Sequence, residues 1–298
     1  MSVHIPVLMN EVIESLDIQS NDIIIDGTIN GGGHAQAIAE RLGNDGMLIG
    51  IDQDRNGLTH SKERLRNVKP KIELVHGNTR NLDGMLDAIG IQTYDKLFLD
   101  LGWSSNQFED PLRGFSFKHD GPLTMTLSDD PNQVPFTAYD VVNEWSEESL
   151  VDILIGYGEE RFARRIARAI IDARTAGSIT GTLKLAEIIQ NAIPKRFQNG
   201  PIHPATQSFQ AIRIAVNDEI GALKEILEKG WERLNPNGRM VIISFHSIED
   251  RIVKHYFRTK KMAGEAEILT KKPITPTDEE MEHNRRSRSA KLRILQKL

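Results

Sequence analysis

Short apolar segments alternate with amphipathic segments through the first hundred residues, and this alternation constrains the fold more than any other feature. The apolar segments are nearly continuous, as in strands of a parallel sheet that are buried on both faces. The pattern predicts four strands at 22–26, 47–52, 71–76 and 95–101, with helices between them at 34–42, 58–68 and 82–89. Such alternation is typical of an α/β fold with right-handed crossovers.

The next buried strand, 238–245, begins more than a hundred residues after the fourth. A strand–helix–strand unit needs only about 30 residues, so the spacing indicates an insertion. The intervening sequence carries apolar residues at helical spacing, and its last helix is predicted to run without a break over 208–234. We therefore predict a discontinuous sheet domain of residues 1–106 and 210–298. We predict that residues 107–209 form an inserted helical domain that recognises the substrate, because it emerges at the ligand-binding edge of the sheet. The alternative is a satellite domain that only adds stability.

The composition excludes several classes of function. With 298 residues and no cysteine, the chain has no disulfide scaffold, thiolate zinc site or iron–sulfur cluster, and no histidine cluster predicts a metal. The net charge of −5 excludes a uniformly basic coat for nucleic acid, and DNA is not an expected partner. We see no apolar stretch long enough to span a bilayer and no secretory leader, which predicts a cytoplasmic location without a membrane partner.

A glycine-rich loop after the first predicted strand is the strongest sign of a ligand. It follows Asp26, contains Gly31, Gly32 and Gly33, and leads into a helix at His34. Glycines allow a tight turn and close approach of a ligand to the backbone, and Asp52, 19 residues after the last glycine, is placed to bind ribose hydroxyls. These features indicate an adenosine-containing cofactor. The spacing is not that of a dinucleotide fingerprint, and Asp26 can accept from an ammonium group, so S-adenosylmethionine is favoured over a dinucleotide.

The fourth predicted strand ends at Asp100 and is followed closely by Ser104 and Ser105. In methyl transfer to an exocyclic base amine, acceptors that bind the amine protons favour the pyramidal, nucleophilic geometry of the nitrogen. These three residues are therefore candidates for catalysis. The alternative for the two serines is an ordinary turn after a strand.

Further motifs, spread over nearly the whole chain, resemble the bacterial ribosomal RNA small subunit methyltransferase H family. They are His4–Leu8, Asp26–His34, Leu99–Gln107, Arg113–Phe117, Gly158–Arg161, His203–Glu219, Ser244–Arg251 and Ser287–Arg293. Each motif is weak alone, but their order and number make the match specific. The resemblance implies a Rossmann-like, S-adenosylmethionine-dependent methyltransferase sheet interrupted by a helical domain. It also implies methylation of the exocyclic N4 of a cytidine in the decoding region of 16S rRNA, in the small ribosomal subunit.

The resemblance also assigns residues to the cofactor site. It implies that S-adenosylmethionine is lined by Gly32, Gly33, His34, Asp52, Thr79, Asp100 and Gln107, in addition to Asp26 from the loop argument. Cations and aromatic rings recognise phosphates and bases, so we predict RNA contacts at Arg113, Phe115, Phe117, Arg285, Arg286 and Arg288. The alternative is a structural loop for the first three residues and a solvated basic terminus for the last three. The last three belong to a basic segment, 283–298, that contains no acid.

Several positions depart from the family pattern. Thr79 stands where an aromatic residue is usual, Thr124 and Thr126 replace an acid and an arginine, Trp103 replaces a small apolar residue, and Arg286 replaces a proline. These departures motivate one alternative, a non-catalytic RNA-binding assembly factor. A dinucleotide-dependent oxidoreductase is the other.

Overall fold

The computed structural model describes residues 5–102, 105–131, 134–200 and 202–298, without the side chains of Ser105 and Asn106. The chain folds into two compact units. One comprises Met1–Gly102 and Ile220–Leu298, and the other comprises Trp103–Glu219. Among the described residues, no helix has the length and apolar composition needed to cross a membrane.

The first unit is built on a seven-stranded sheet. Its strands are β1 (Ile23–Asp26), β2 (Met47–Asp52), β3 (Lys71–His76), β4 (Tyr94–Asp100), β5 (Leu234–Ser244), β6 (Ala266–Ile268) and β7 (Lys291–Lys297). They are ordered β3-β2-β1-β4-β5-β7-β6. The first five strands are parallel, and β7 runs antiparallel to both of its neighbours. This arrangement confirms the predicted Rossmann-like α/β class.

Successive side chains of a strand point to opposite faces of the sheet, so the apolar side chains are divided between two cores. In β1, Ile25 packs with residues of α11 (Glu219–Arg233) and α12 (Ser247–Met262). Its neighbour Ile24 packs with residues of α1 (Met9–Leu16) and α2 (Gly33–Ala39). Both isoleucines are fully buried, so the central strands read as continuous apolar runs because helices cover both faces. Helices α3 (Arg55–Arg64), α4 (Leu82–Ala88) and α13 (Asp278–His283) complete this unit.

The second unit is helical. Its helices are α5 (Ser105–Glu109), α6 (Ala138–Glu144), α7 (Glu147–Gly156), α8 (Ala163–Ala176), α9 (Thr182–Ala192) and α10 (Thr206–Asn217). They enclose an apolar core of their own, to which α8 contributes Ile166 and Ile170. This unit therefore buries its own apolar surface, as a folding domain must.

The end of the helical unit differs from the sequence prediction. The continuous helix predicted for 208–234 is wrong, because Asp218 adopts a left-handed conformation (φ 44°) that ends α10. Phe209, Ala211, Ile212 and Ala215 of α10 are buried in the core of the helical unit. The boundary accordingly lies at Glu219 rather than at the predicted residue 209.

Candidate active site

Three aspartates end three adjacent strands of the sheet: Asp26 ends β1, Asp52 ends β2 and Asp100 ends β4. After β3 the chain crosses to the other side of β1 to form β4. Such a reversal opens a crevice at the carboxyl ends of parallel strands, where open α/β sheets bind ligands. The topology therefore brings together the three carboxylates that the sequence pointed to.

The glycine loop joins β1 to α2 and is held from several sides. Gly32 has a φ of 75°, which favours glycine, and a Cβ there would lie 3.0 Å from Ser61 Oγ. A Cβ on Gly33 would lie 2.6 Å from Cγ of Pro6. At Gly31 an added Cβ would meet no described atom within 4 Å. The loop is thus packed at Gly32 and Gly33, and its backbone stays accessible at Gly31.

Asp52 holds one carboxylate oxygen in place and leaves the other unused. Its Oδ1 accepts a hydrogen bond of 2.9 Å from the backbone N–H of Asp54. Its Oδ2 is buried and has no hydrogen-bond partner among the described residues. A buried acceptor without a partner is costly, so this oxygen is suited to a ligand that brings hydroxyl donors.

Asp100 has a similar division of roles. Its backbone N–H donates to Thr28 Oγ1 at 2.6 Å, which ties the end of β4 to the loop after β1. Its Oδ2 lies 3.6 Å from His34 Nδ1, and its buried Oδ1 has no partner in the described part of the chain. Asp100 therefore presents one free acceptor at the edge of the sheet.

His34 connects the glycine loop to Asp100. Its Nε2 lies 2.9 Å from the carbonyl oxygen of Val7. A carbonyl only accepts, so Nε2 carries the proton and Nδ1 faces Asp100. The ring is buried and packs on Phe98 with a centroid distance of 4.8 Å. His34 is therefore positioned by the N-terminal segment and the sheet together.

Burial raises the pKa of all three carboxyl groups. The pKa of Asp26 rises to about 7, opposed by the Thr28 amide and reinforced by the charge of Asp52. The pKa of Asp52 also rises to about 7. That of Asp100 rises to about 8, with further contributions from the charges of Asp26 and Glu249. The three carboxyl groups thus lose their protons less readily than ordinary aspartates, unless a ligand brings hydrogen-bond donors or positive charge to the site.

We expect this to make the stability of the cofactor-free protein pH-dependent. Because the folded-state pKa values lie above the ordinary value of 3.8, the folded chain holds more protons than the unfolded chain between about pH 4 and 8. The stabilisation is complete below about pH 4 and is lost as the pH rises through 7 to 8. Asp52→Asn should reduce the change in stability between pH 5 and 9 by about 3 kcal/mol, and Asp100→Asn by about 4 kcal/mol.

Urea unfolding at several pH values measures this effect. The exposed Asp45 supplies a matched control, Asp45→Asn, which should keep the wild-type profile. Profiles of the two site variants that run parallel to wild type would show that burial does not perturb these carboxyl groups.

Thr79 lies at the same edge of the sheet. It begins a single 3₁₀ turn after β3, and its Cγ2 is 3.3 Å from where a Cβ on Gly27 would lie. The predicted cofactor contact thus comes from a small side chain packed against the glycine loop. An aromatic side chain at this position would cover more of a flat ligand.

The described side chains of the predicted residues in the helical unit make contacts within that unit. Gln107 Nε2 donates to the carbonyl oxygen of Leu127 at 3.4 Å, and its role toward the cofactor stays a prediction. Arg113 Nη2 donates to the carbonyl oxygens of residues 126, 127 and 128 at 2.9–3.1 Å. Phe115 is buried in the core of this unit, which argues against base stacking there. Phe117 packs between His203 and Phe209 at centroid distances of 4.6 and 4.8 Å.

The threonines that depart from the family pattern also bind backbone. Thr124 Oγ1 donates to the carbonyl oxygen of Leu112 at 3.2 Å. Thr126 is fully buried, and its Oγ1 accepts from the N–H of Ser128 at 3.1 Å. The two threonines therefore stabilise the loop that Arg113 also holds. The predicted catalytic Ser104 and the side chain of Ser105 lie outside the described residues, as does Trp103.

The basic C-terminal segment divides into two parts. Arg285 and Arg288 are exposed and Arg286 is half-buried, on a 3₁₀ helix before β7, so their RNA contact remains a prediction. Arg293 belongs to β7 and its Nε lies 2.7 Å from Asp250 Oδ1. Burial alone would raise the pKa of Asp250, but the hydrogen bond and charge of Arg293 outweigh it and lower that pKa. Arg293 is therefore committed to the fold rather than to phosphate.

Sequence reasoning missed Gly57 and Ser61, both on α3. Ser61 Oγ donates to the carbonyl oxygen of Asn30 at 2.9 Å, which fixes the glycine loop. A Cβ on Gly57 would lie 2.6 Å from Asp52 Oδ2 and 2.9 Å from the Asn30 carbonyl oxygen. A glycine in the first turns of a helix was the available signal, because glycine disfavours helices unless close packing requires it.

The residues present fit S-adenosylmethionine. Asp52 Oδ2 and Asp100 Oδ1 are unpartnered acceptors in the described part of the chain, and the cofactor brings ribose hydroxyls, an ammonium group and positive charge. Gly31 leaves the loop backbone approachable. The carboxylates that a charged ligand would neutralise are the ones whose pKa values burial raises.

Comparison with known proteins agrees with this chemistry. The family model described as the MraW methylase family matches residues 1–298. The chain belongs to the MraW methylase family. Among its relatives is the ribosomal RNA small subunit methyltransferase H of Carboxydothermus hydrogenoformans, which is 44% identical over 99% of this chain and 98% of that protein. The protein of the same name from Brevibacillus brevis is 41% identical over 99% and 98%.

Solved structures agree on the fold. A crystal structure of a protein from Clostridium thermocellum is 11% identical and covers 99% of this chain and all of that one, with a TM-score of 0.50. Membership of the MraW methylase family confirms that the chain is a methyltransferase with S-adenosylmethionine as cofactor. The dinucleotide-dependent alternative is wrong.

We expect Gly57→Ala to weaken the cofactor site of this MraW methylase without unfolding it. The added methyl group must displace both the Asp52 carboxylate and the backbone carbonyl oxygen of Asn30, and the affinity for S-adenosylmethionine should fall about tenfold. Isothermal titration calorimetry measures this change. The matched control is Gly84→Ala in α4, where an added Cβ meets no described atom within 4 Å. That variant should bind the cofactor normally and be as stable as wild type or more so. Equal cofactor affinities for the two variants would contradict the role of Gly57.

Proposed function

We propose that this chain transfers the methyl group of S-adenosylmethionine to the exocyclic N4 of a cytidine in the decoding region of 16S rRNA. The observation that carries this proposal is Asp100, a half-buried carboxylate at the end of β4 whose buried Oδ1 has no partner among the described residues. The relatives named ribosomal RNA small subunit methyltransferase H support an rRNA substrate. The cytidine N4 specificity rests on the sequence motifs shared with that family.

The residues of the chain have separable tasks in this reaction. S-adenosylmethionine supplies an electrophilic methyl carbon attached to a sulfonium. Asp52 Oδ2 accepts from the ribose hydroxyls and so fixes the cofactor, and the glycine loop allows its close approach. Holding both reactants in alignment supplies a large part of the rate enhancement.

Asp100 acts on the amine. Its free Oδ1 accepts a hydrogen bond from an N4 proton, which favours the pyramidal nitrogen with an available lone pair. The nitrogen loses one proton when it gains the methyl group, and Asp100 receives that proton. The other oxygen of Asp100 lies 3.6 Å from Nδ1 of His34, beyond hydrogen-bond distance. The target cytidine has to leave its stack to reach this carboxylate.

The substrate implies a place of action. An enzyme that modifies the small ribosomal subunit works in the cytoplasm, and the exposed Arg285 and Arg288 are suited to phosphate contacts there.

The test is a methylation assay with two RNA substrates. Purified protein is incubated with methyl-labelled S-adenosylmethionine and either unmodified small subunits or free 16S rRNA. Digestion to nucleosides and mass spectrometry then identify the product. We expect N4-methylcytidine from the decoding region. Cofactor binding without label in either RNA would refute the proposed reaction and favour the non-catalytic assembly role.

A further inference from the structure

A stack of cations and aromatic rings lies on the surface of the helical unit. The guanidinium of Arg161 lies 5.5 Å from the ring centroid of Phe162 and 4.7 Å from that of Phe197. The guanidinium of Arg196 lies 4.9 Å from the Phe197 centroid. The two rings are 5.2 Å apart, tilted by 48°. We call these four residues the Arg–Phe stack.

The Arg–Phe stack is exposed. Arg161 and Arg196 are exposed, and Phe197 keeps 38% of its surface accessible. A large apolar ring at the surface is a typical element of a binding site when cations surround it. Each cation–ring contact also restricts a long arginine side chain, which lowers the entropy lost when that arginine binds a ligand.

The stretch of sequence that contains the Arg–Phe stack is positively charged, although the whole chain is negative. Residues 159–200 contain eight lysines and arginines against four acids, whereas the net charge of the chain is −5. Lys195 is exposed beside Arg196. A concentration of positive charge on an acidic protein is the electrostatic footprint of phosphate binding.

Two of these cations are placed where they disfavour the fold. Arg164 and Arg165 are exposed in the first turn of α8, which has no acid in that turn. Positive charge at a helix N-terminus opposes the helix dipole. The buried Glu160 accepts from the Phe162 N–H at 2.8 Å and so fixes the turn before α8. Stability therefore does not account for Arg164 and Arg165, whereas a polyanionic ligand would.

We propose that the Arg–Phe stack, together with Arg164 and Arg165 of the first turn of α8, binds a single-stranded segment of rRNA. Unstacked bases pack on ring and guanidinium planes, and the arginines contact the phosphates. This inference rests on the proposed function and names the surface through which its substrate is held. The sequence-predicted contact at Phe115 is buried, and the Arg–Phe stack offers the exposed planes that Phe115 lacks.

The test compares variants that differ only in whether they belong to the Arg–Phe stack. Arg161→Gln removes a stacked cation, and Arg161→Lys keeps the charge but removes the planar group. Phe197→Leu keeps apolar packing but removes the ring. The matched control is Arg168→Gln on the same helix, because Arg168 is exposed but pairs with Glu147 and Asp172 at 3.2 Å each.

Binding is measured by fluorescence anisotropy with a labelled single-stranded oligoribonucleotide and with free 16S rRNA, over a range of salt concentrations. We expect a 5- to 50-fold rise in Kd for Arg161→Gln and Phe197→Leu, and a smaller rise for Arg161→Lys. The slope of log Kd against log salt concentration should fall by about one for Arg161→Gln, because one phosphate contact is lost. It should not change for Arg161→Lys, which keeps the charge. Arg168→Gln should change Kd by less than twofold. All variants should bind S-adenosylmethionine as wild type does.

The methylation assay separates this proposal from the proposed function. If wild type methylates rRNA and the stack variants bind RNA and turn it over as wild type does, the surface proposal is overturned and the proposed function stands. If wild type binds RNA through these residues but methylates none, the surface stands and the proposed function fails. Failure to bind either free RNA overturns the surface proposal, and the proposed function falls as well only if the small subunit is not methylated.

Discussion

Replacing Asp52 by alanine is expected to lower the affinity for S-adenosylmethionine by about 100-fold. Two ribose hydroxyl groups lose a charged acceptor, and each hydrogen bond to a charged group contributes about 1.5–3 kcal/mol. At pH 8 the free protein should lose little stability. Removal of a half-buried carboxylate whose pKa burial raises to about 7 offsets the loss of its hydrogen bond from the Asp54 N–H. Calorimetry gives the affinity, and urea unfolding gives the stability.

The exposed Asp45 supplies a matched control for Asp52. Asp45→Ala changes the net charge identically at an exposed site and should leave the cofactor affinity within twofold of wild type. Loss of stability in Asp52→Ala together with normal cofactor binding would mean that Asp52 serves the fold and not the cofactor.

Replacing Asp100 by asparagine is expected to lower kcat by about 100-fold while the protein remains folded. Asparagine keeps the size of the side chain and a carbonyl acceptor, but it cannot take a proton from the amine. General-base groups contribute about 100- to 10,000-fold. Burial raises the pKa of this carboxyl group to about 8 in the cofactor-free protein, and the positive charge of a bound cofactor lowers it. Because the group must be ionised to act, wild-type turnover should increase with pH through a midpoint below 8. The residual turnover of the variant should lack that increase.

Single-turnover methylation of small subunits at saturating cofactor measures the chemical step for Asp100. The Kd for S-adenosylmethionine, measured in parallel, separates loss of binding from loss of chemistry. Wild-type turnover with an unchanged pH profile in Asp100→Asn would exclude Asp100 as the proton acceptor. An unchanged kcat with a weakened cofactor affinity would assign it to binding alone.

The sequence predicted the part of the site that depends on strand ends. A parallel strand buried on both faces must be apolar, so an aspartate at its end is conspicuous, as at Asp26, Asp52 and Asp100. The chemical partners of these residues were not predictable from local pattern. The contact of Gly57 with the Asp52 carboxylate joins a helix to a strand, and the fixation of His34 by Val7 spans 27 positions.

Composition alone could not assign the roles of several residues. Arg293 lies in the basic segment 283–298, and β7 brings it to Asp250, 43 positions away. Phe115 looked like a base-stacking ring, but the core of the helical unit buries it. The helix break at Asp218 depends on one left-handed residue, which apolar spacing does not report. In each case a distant contact decides the role of the residue.

The position of β7 has a consequence for folding during synthesis. The strand Lys291–Lys297 lies between β5 and β6, both of which precede it in the chain. While the polypeptide is being made, the edge of β5 stays open until residue 297 has been released, and Lys297 then donates to the carbonyl oxygens of Trp231 and Leu234. An open strand edge invites pairing with other chains. The sheet can therefore close only after its last strand has been synthesised. Until then the edge of β5 is open to pairing with other chains.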